Sequence, residues 1–283
     1  MHAFHSNWTQ PYFDKYPDKQ YEIEDFELLT TIISALKWQE KNGDIEMVTD
    51  LRGAAYYRAL GLETLWNGGI DTSLEDVNVD IDSRTFWAAG KLFALEKQKA
   101  PCVMIDTDFI VWEDVRASLW LHDVVVIHRE ELDPSVYPNK HYLKVSEEYQ
   151  YPKTWNFEVL PCNTAFTFFG NDAFKKHYTE EAIRFMTAVR ESDPLIYMVF
   201  AEQRLLAMCA EEKEIDLYAL STVDDLFHSG QKLFTHVWGH KRHLREVQKA
   251  RVAFCLRCIE RIKKDYPKFY PKLKHIECLR PYL

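Results

Sequence analysis

The sequence predicts an α/β fold in a single large domain, with a mainly parallel central sheet, helices on both faces and a helical C-terminal tail. Three observations carry that expectation. Strand-like and helix-like stretches alternate through the first hundred residues, the pattern of parallel strands joined by right-handed crossovers. Val103 to Trp112 is apolar, β-branched and aromatic except for Asp106-Thr107-Asp108, as expected of a central strand buried on both faces. The chain has 283 residues, 47% of them hydrophobic, which is enough to fill one such core.

His2 to His5 reads as a first short strand, followed by a polar and aromatic loop from Ser6 to Phe13. Leu28, Leu29, Ile32, Ile33 and Leu36 recur at helical spacing, and Lys41-Asn42-Gly43 is a stop signal. Ile45 to Asp50 reads as a strand and Leu51 to Leu60 as a helix closed by Gly61. Glu63 to Trp66 is a third candidate strand, ahead of the turn Asn67-Gly68-Gly69. Arg84 to Lys99, with Phe86, Gly90, Phe93 and Ala94 on one face, is a helix leading into the strand that carries Asp106.

The second half is less regular. Val124 to His128 is a strand, and the acidic, proline- and tyrosine-rich run from Glu130 to Pro152 reads as a long excursion near the active face, of the kind that forms substrate lids. Phe157 to Leu160 and Ala165 to Phe169 are short strands flanking Pro161-Cys162-Asn163-Thr164. Gly170-Asn171-Asp172 caps a helix that turns Phe174, Tyr178, Ile183, Met186 and Val189 inward. Asp193-Pro194 opens another, running through Glu202-Gln203 to Leu206, and Leu244 to Lys264 is the last helix.

Charge narrows the partners. A net charge of -9 and a pI near 5.7 give no general attraction to nucleic acid and favour a small anion held by local cations. No window reaches the apolar length of a membrane span, and the first residues lack the features of a signal peptide, so a cytoplasmic location is expected. The six cysteines are scattered as in a reduced protein. Cys255, Cys258, His275 and Cys278 have zinc-compatible spacings, but Cys255 and Ile259 continue the apolar face of the last helix, which favours buried thiols.

Asp106 and Asp108 are the clearest functional candidates. Residues i and i+2 of an extended segment project to one side, so both carboxylates can face one cation, and hard oxygen ligands suit Mn²⁺ or Mg²⁺ completed by substrate phosphates. The alternative is an acidic turn without a ligand. Ligands of open α/β sheets bind at the carboxyl ends of strands, which makes His5, Ser6 and Trp8 candidate base or ribose contacts. Asp50 lies at another such end and either accepts from a ribose or base group or caps the helix that starts at Leu51. Late in the chain, Leu233 to His243 offers a metal-capable His236 followed by Gly239, Lys241 and Arg242, a combination suited to a diphosphate.

Strand-helix alternation leading to Ile105-Asp106-Thr107-Asp108, then the Asn163 strand, the Glu202-Gln203 helix and His236-Val237-Trp238-Gly239-His240-Lys241, resembles the nucleotide-sugar-dependent glycosyltransferases of the GT-A fold, and is most similar to their family 8-like branch. The resemblance spans Met1 to about His243, with the Asp-x-Asp and the late His-x-x-Gly segment as its distinctive parts. It implies a GT-A-like nucleotide-sugar-binding and catalytic domain over residues 1–243, with residues 244–283 as a helical extension packed on it. It also implies Mn²⁺ ligation by Asp106, Asp108 and His236. The family's diphosphate-binding lysine lies six residues after the histidine, whereas here Lys241 is at five and Arg242 at six, so the role falls to one of these two. Lys91 corresponds to a basic residue reaching the donor phosphate or sugar. Asn163, Glu202 and Gln203 stand where the family places its catalytic and sugar-binding residues.

The implied activity is metal-dependent transfer of a sugar from a nucleoside-diphosphate sugar, with a UDP-sugar expected, to an acceptor hydroxyl of a carbohydrate or glycoconjugate such as a surface polysaccharide. Two other classes compete. A nucleotide-sugar-binding protein without turnover would keep the same residues. A sugar nucleotidyltransferase would need a glycine-rich basic loop after its first strand, and Ser6 to Phe13 contains neither glycine nor cation.

Overall fold

The computed structural model describes residues 1–228 and 230–283. Strand β1 (Ala3–Asn7) enters the short helix α1 (Gln10–Lys15) and then α2 (Asp25–Lys41). Strand β2 (Ile45–Thr49), helix α3 (Leu51–Ala59), strand β3 (Ile70–Asp71) and helix α4 (Ala89–Lys97) follow. Strands β4 (Cys102–Ile105) and β5 (Phe109–Val111) are separated by the turn that carries the two aspartates. After α5 (Arg116–Leu119) and β6 (Val124–Val126) comes the long excursion, returning at β7 (Phe166–Phe169) and α6 (Asp172–Ala188). Helix α7 (Ile196–Val199) continues through a π-helical turn, Phe200–Arg204, into α8 (Leu205–Glu212). The chain closes with β8 (Leu217–Ala219), α9 (Val223–His228), β9 (Phe234–His236), α10 (Lys241–Glu246), α11 (Gln248–Asp265) and α12 (Tyr270–Leu273).

Seven strands form one sheet in the order β3-β2-β1-β4-β7-β6-β8, in which β7 alone runs against its neighbours. The apolar strands divide their side chains between two cores, as a sheet covered on both faces requires. Ala3, Val103, Ile105, Val125 and Phe168 join the core under α2 and α11, while Phe4, Met104, Val124, Val126 and Phe169 join the one under α4, α6 and α8. Cys255, Ile259 and Ile262 of α11, and Leu273, Ile276 and Leu279 beyond it, belong to the first core. Arg251 adds ion pairs to Asp25 (2.7 Å) and Glu24 (3.2 Å) at the start of α2, where acidic side chains also suit the helix dipole.

Several expected elements differ. Glu63 to Trp66 forms turns, not a strand; its apolar signal reflects burial of Leu65 and Trp66, and the edge strand starts after Gly69, whose φ of +92° suits glycine. Phe157 to Leu160 is likewise a turn, held where Asn156 Oδ1 accepts from the Glu158 amide (2.9 Å). The Ser6–Phe13 loop contains the start of α1, with Pro11 in its first turn. The helix expected from Arg84 begins at Ala89, because Asp82 accepts from the Arg84 amide and the Thr85 hydroxyl and holds that stretch in turns. The final helix breaks at Val247, whose backbone is extended (φ −117°, ψ 93°).

Asp50 caps α3. Its Oδ1 accepts from the Gly53 amide (2.8 Å), and the Thr9 amide and hydroxyl donate to the same carboxylate at 2.7 to 2.9 Å, tying the exit of β1 to the exit of β2. Removing a buried acceptor of this kind leaves donors unpaired. Asp50→Ala is therefore expected to lower unfolding free energy by about 1–3 kcal/mol in urea denaturation; a midpoint equal to the parent's would show the clamp to be dispensable.

Candidate functional site

The strand order reverses at β1, which leaves a crevice between the carboxyl ends of β1 and β4. Chain exit from β4 is fixed by the Asp106 amide donating to Ala165 O (2.7 Å) and by the Phe109 amide donating back to Asp106 O (3.0 Å). That tight turn projects both aspartates from the sheet end. Strand β5 then pairs antiparallel with β9, Phe109 opposite His236, and the Val237 amide donates to Asp108 O (3.1 Å). One ligand atom each from Asp106, Asp108 and His236 consequently lie within 4.8 Å of one another.

A buried polar chain supports the turn from beneath. The Trp66 indole donates to His5 Nδ1 (3.2 Å), which leaves the His5 proton on Nε2 to meet Ser34 Oγ (3.0 Å), and the Ser34 hydroxyl donates to Phe109 O (2.5 Å). Burial pushes the His5 pKa down to about 3, so the ring is neutral. His5, proposed from sequence as a ligand contact, is thus fully buried with both nitrogens engaged. Its contacts position the β5 backbone.

Charges converge on the aspartates. Lys91 Nζ reaches Asp106 Oδ1 at 2.8 Å and also pairs with Glu202 Oε1, to which the Thr164 hydroxyl donates (2.7 Å). Burial works against the Lys91 charge, but Asp106 and Glu202 outweigh it and hold the ammonium protonated. Lys241 Nζ meets Asp108 Oδ2 at 3.0 Å and Glu27 Oε1 at 3.4 Å. Burial, with Glu202 and Asp108 nearby, raises the Asp106 pKa to about 6 against the opposing effect of Lys91. Burial also lowers that of His236 to about 4, leaving the imidazole neutral and able to ligate.

Ser6, Trp8, Lys91 and Lys241 line a cleft of about 160 Å³ together with both aspartates. Trp8 packs edge-on to Phe93 (5.8 Å between centroids) and sits so close to α4 that a Cβ on Gly90 would fall 2.5 Å from Trp8 Cβ. His236 borders a second cavity, of about 420 Å³, with Asn163 and Glu130; Asn163 Nδ2 donates to Glu130 Oε1 (2.9 Å). Gln203 stands one residue from Glu202 on the π-helical turn, and its Oε1 accepts from the Tyr137 hydroxyl (2.5 Å). Arg242 and Asp50 also lie apart from the aspartates. Arg242 is 87% exposed and pairs with Glu246 at 2.7 Å, and Asp50 is committed to its capping bonds.

His177, Cys209 and Glu212 form another grouping able to hold a metal. There Glu212 already accepts from Thr154 (2.7 Å) and Trp155 (3.3 Å) and pairs with His177 (3.1 Å). Of the tail cysteines, Cys255 and Cys258 are buried and Cys278 is exposed. Glu27, Thr164 and Trp87, the last of which also lines the cleft of the aspartates, were not among the residues expected from sequence. Glu27 belongs to a run of acids at the start of α2 that could have signalled a basic partner; Thr164 and Trp87 gave no such signal.

Residues 1–276 match the model of a family of unknown function (DUF6734). No curated protein matches the chain in sequence. Among solved structures, the apo form of mouse xyloside xylosyltransferase 1 is 9% identical, with a TM-score of 0.41 over 78% of this chain and 84% of that one. The galactosyltransferase LgtC in complex with donor and acceptor sugar analogs is 9% identical, with a TM-score of 0.39 over 80% and 74%. The glycosyltransferase GlyE of Streptococcus pneumoniae is 13% identical, with a TM-score of 0.36 over 80% of this chain and 46% of that one. At these scores the likeness identifies no reaction.

If the aspartates and His236 hold one cation, Asp108→Asn and His236→Ala should each weaken Mn²⁺ binding by about 10-fold or more, read by electron paramagnetic resonance of free Mn²⁺, with the circular dichroism spectrum unchanged. Parent-like affinity in both variants would remove the trio as a metal centre.

Proposed function

The chain belongs to the DUF6734 family, and we propose that it is a metal-dependent glycosyltransferase of GT-A type. It moves a sugar from a nucleoside-diphosphate sugar, with UDP as the expected carrier, to a hydroxyl of a carbohydrate or glycoconjugate acceptor. The observation that carries this reading is the convergence of Asp106, Asp108 and His236 with Lys91 and Lys241 at the mouth of a mainly parallel sheet.

The donor set fits a divalent cation. Two carboxylates and a neutral imidazole suit Mn²⁺, with Mg²⁺ the second choice, and would leave coordination positions for phosphate oxygens and water. Burial, and after it the nearby Glu202 and Asp108, raise the Asp106 pKa, and a bound cation would favour the charged carboxylate against both. When bound, the metal supplies Lewis-acid stabilisation of the departing diphosphate.

Lys241 sits against Asp108 and supplies positive charge where the diphosphate would lie, which favours it over Arg242 for the phosphate role. In the transfer, the bond from the anomeric carbon to the diphosphate oxygen breaks and its electron pair stays with the diphosphate. The acceptor oxygen bonds to that carbon, and its hydroxyl proton passes to a base or to solvent. Glu202, held by Lys91 and Thr164 at the cleft, is assigned to accepting a sugar hydroxyl. Gln203 and Asn163 are assigned to the reacting sugar, and Ser6 and Trp8, which line the cleft, to the nucleoside. Among the described residues, no helix is long and apolar enough to cross a membrane.

A thermal-shift panel of UDP-, GDP- and CMP-sugars, with and without Mn²⁺, tests the donor, since a ligand of the native state raises the melting temperature by mass action. A Mn²⁺-dependent shift with UDP-sugars, accompanied by slow donor hydrolysis, is expected. A shift without hydrolysis or transfer to any acceptor would favour a binding protein, and no shift with any nucleotide sugar would contradict the proposal. Lys241→Ala should weaken UDP binding by about 10-fold or more, as loss of a charge-assisted contact does, with Arg242→Ala near the parent. The reverse order would assign the phosphate role to Arg242.

A further inference from the structure

A cavity of about 540 Å³, larger than either cavity beside the aspartates, lies on the other side of the π-helical turn. Glu202 on that turn faces Lys91, whereas Arg204, two residues on, lines this cavity. The remaining walls come from the 130–152 excursion, the Phe157-Glu158 turn, the stretch before α7 and the first residues of α7. Its volume falls within the roughly 300–1,000 Å³ usual for small-molecule sites.

We propose that this cavity is a saccharide subsite that holds a neutral glycan, the portion of the acceptor remote from the reacting hydroxyl. The assignment of that glycan to an acceptor rests on the transferase reading; the binding itself does not. Three features of the walls select the ligand. Tyr142, 74% exposed, offers a ring face of the kind that packs against the C–H face of a pyranose, and Phe157 adds apolar wall. Glu158 and Asp193 supply acceptors for hydroxyl protons and, together with Glu191, repel anions, which argues against a second nucleotide.

Arg204 supplies the opposite polarity. It is 2% exposed, and one Nη donates to Phe157 O, but its Nε and Nη1 find no partner among the described residues. Unsatisfied buried donors are costly, and burial lowers the guanidinium's own pKa. A hydroxyl both donates and accepts, so a polyol suits a wall that carries both carboxylates and a guanidinium. A simple cation would meet the repulsion of Arg204, and a simple anion that of the three acids. Tyr137, which lines the cavity, donates to Gln203 Oε1 and so joins this wall to the residue assigned to the reacting sugar.

The test is calorimetric titration of the full chain with neutral gluco-, galacto- and manno-oligosaccharides of two to five units, in EDTA. At least one is expected to bind the parent and Asp108→Asn with equal affinity. Tyr142→Ala, a change at an exposed side chain, should weaken that binding by about 10-fold with the melting temperature unchanged, and Glu158→Gln should weaken it less. In turnover, Tyr142→Ala should raise KM for the acceptor while holding kcat. Failure of every saccharide to bind, equal binding by the parent and both cavity variants, or displacement of the saccharide by UDP would overturn the proposal. Absence of Mn²⁺-dependent UDP binding would instead count against the transferase reading, with saccharide binding and its loss in Tyr142→Ala left standing.

Discussion

The site depends on the pairing of β5 with β9. The two segments are more than a hundred residues apart in sequence, yet their short antiparallel ladder sets Phe109 opposite His236 and thereby places an imidazole beside Asp108. Without that register, Asp106 and Asp108 would be an acidic turn at the end of a strand. The ladder is braced from both sides. Ser34 and His5 hold the Phe109 carbonyl from below, and the Phe109 and Phe234 rings stack at 5.1 Å.

A second constraint carries the chain on from His236. Lys241 opens α10, and Arg245 and Arg251 follow at spacings that meet the acids at the start of α2: Arg245 pairs with Glu24 (2.5 Å) and Glu27 (2.9 Å), and Arg251 with Asp25. Exposed ion pairs contribute little singly. Lys241 and Arg245, both on α10, meet the same Glu27, which sets the phase of α10, and that phase decides which cation faces Asp108. Adjacent helical residues point about 100° apart, so Lys241 facing inward sends Arg242 outward to Glu246.

Much of this was legible in the sequence, and the misses share a cause. Strands β2 and β4 announced themselves as largely apolar stretches bounded by turn residues, β1 as a short stretch before a polar loop, and the two aspartates stood out because a buried strand tolerates carboxylates only at its end. Glu63 to Trp66 and Phe157 to Leu160 carry the same local signal, but Leu65, Trp66, Phe157 and Val159 are buried or packed against the cores from turns, and local sequence does not reveal whether a partner strand exists. His5 had the composition of a ligand and the position of a core residue; only the Ser34 and Trp66 contacts separate the two. The choice between Lys241 and Arg242 hung on one residue of helix phase. Residue spacing alone could not supply it.

The central claim is that Asp106, Asp108 and His236 hold one metal ion against a nucleoside diphosphate. Anomalous diffraction at the manganese edge from crystals grown with MnCl₂ and UDP tests it most directly. The account predicts one strong peak within bonding distance of all three side chains, with diphosphate density between that peak and Lys241. A diphosphate bound elsewhere, or a peak that avoids His236 and both aspartates, would contradict it.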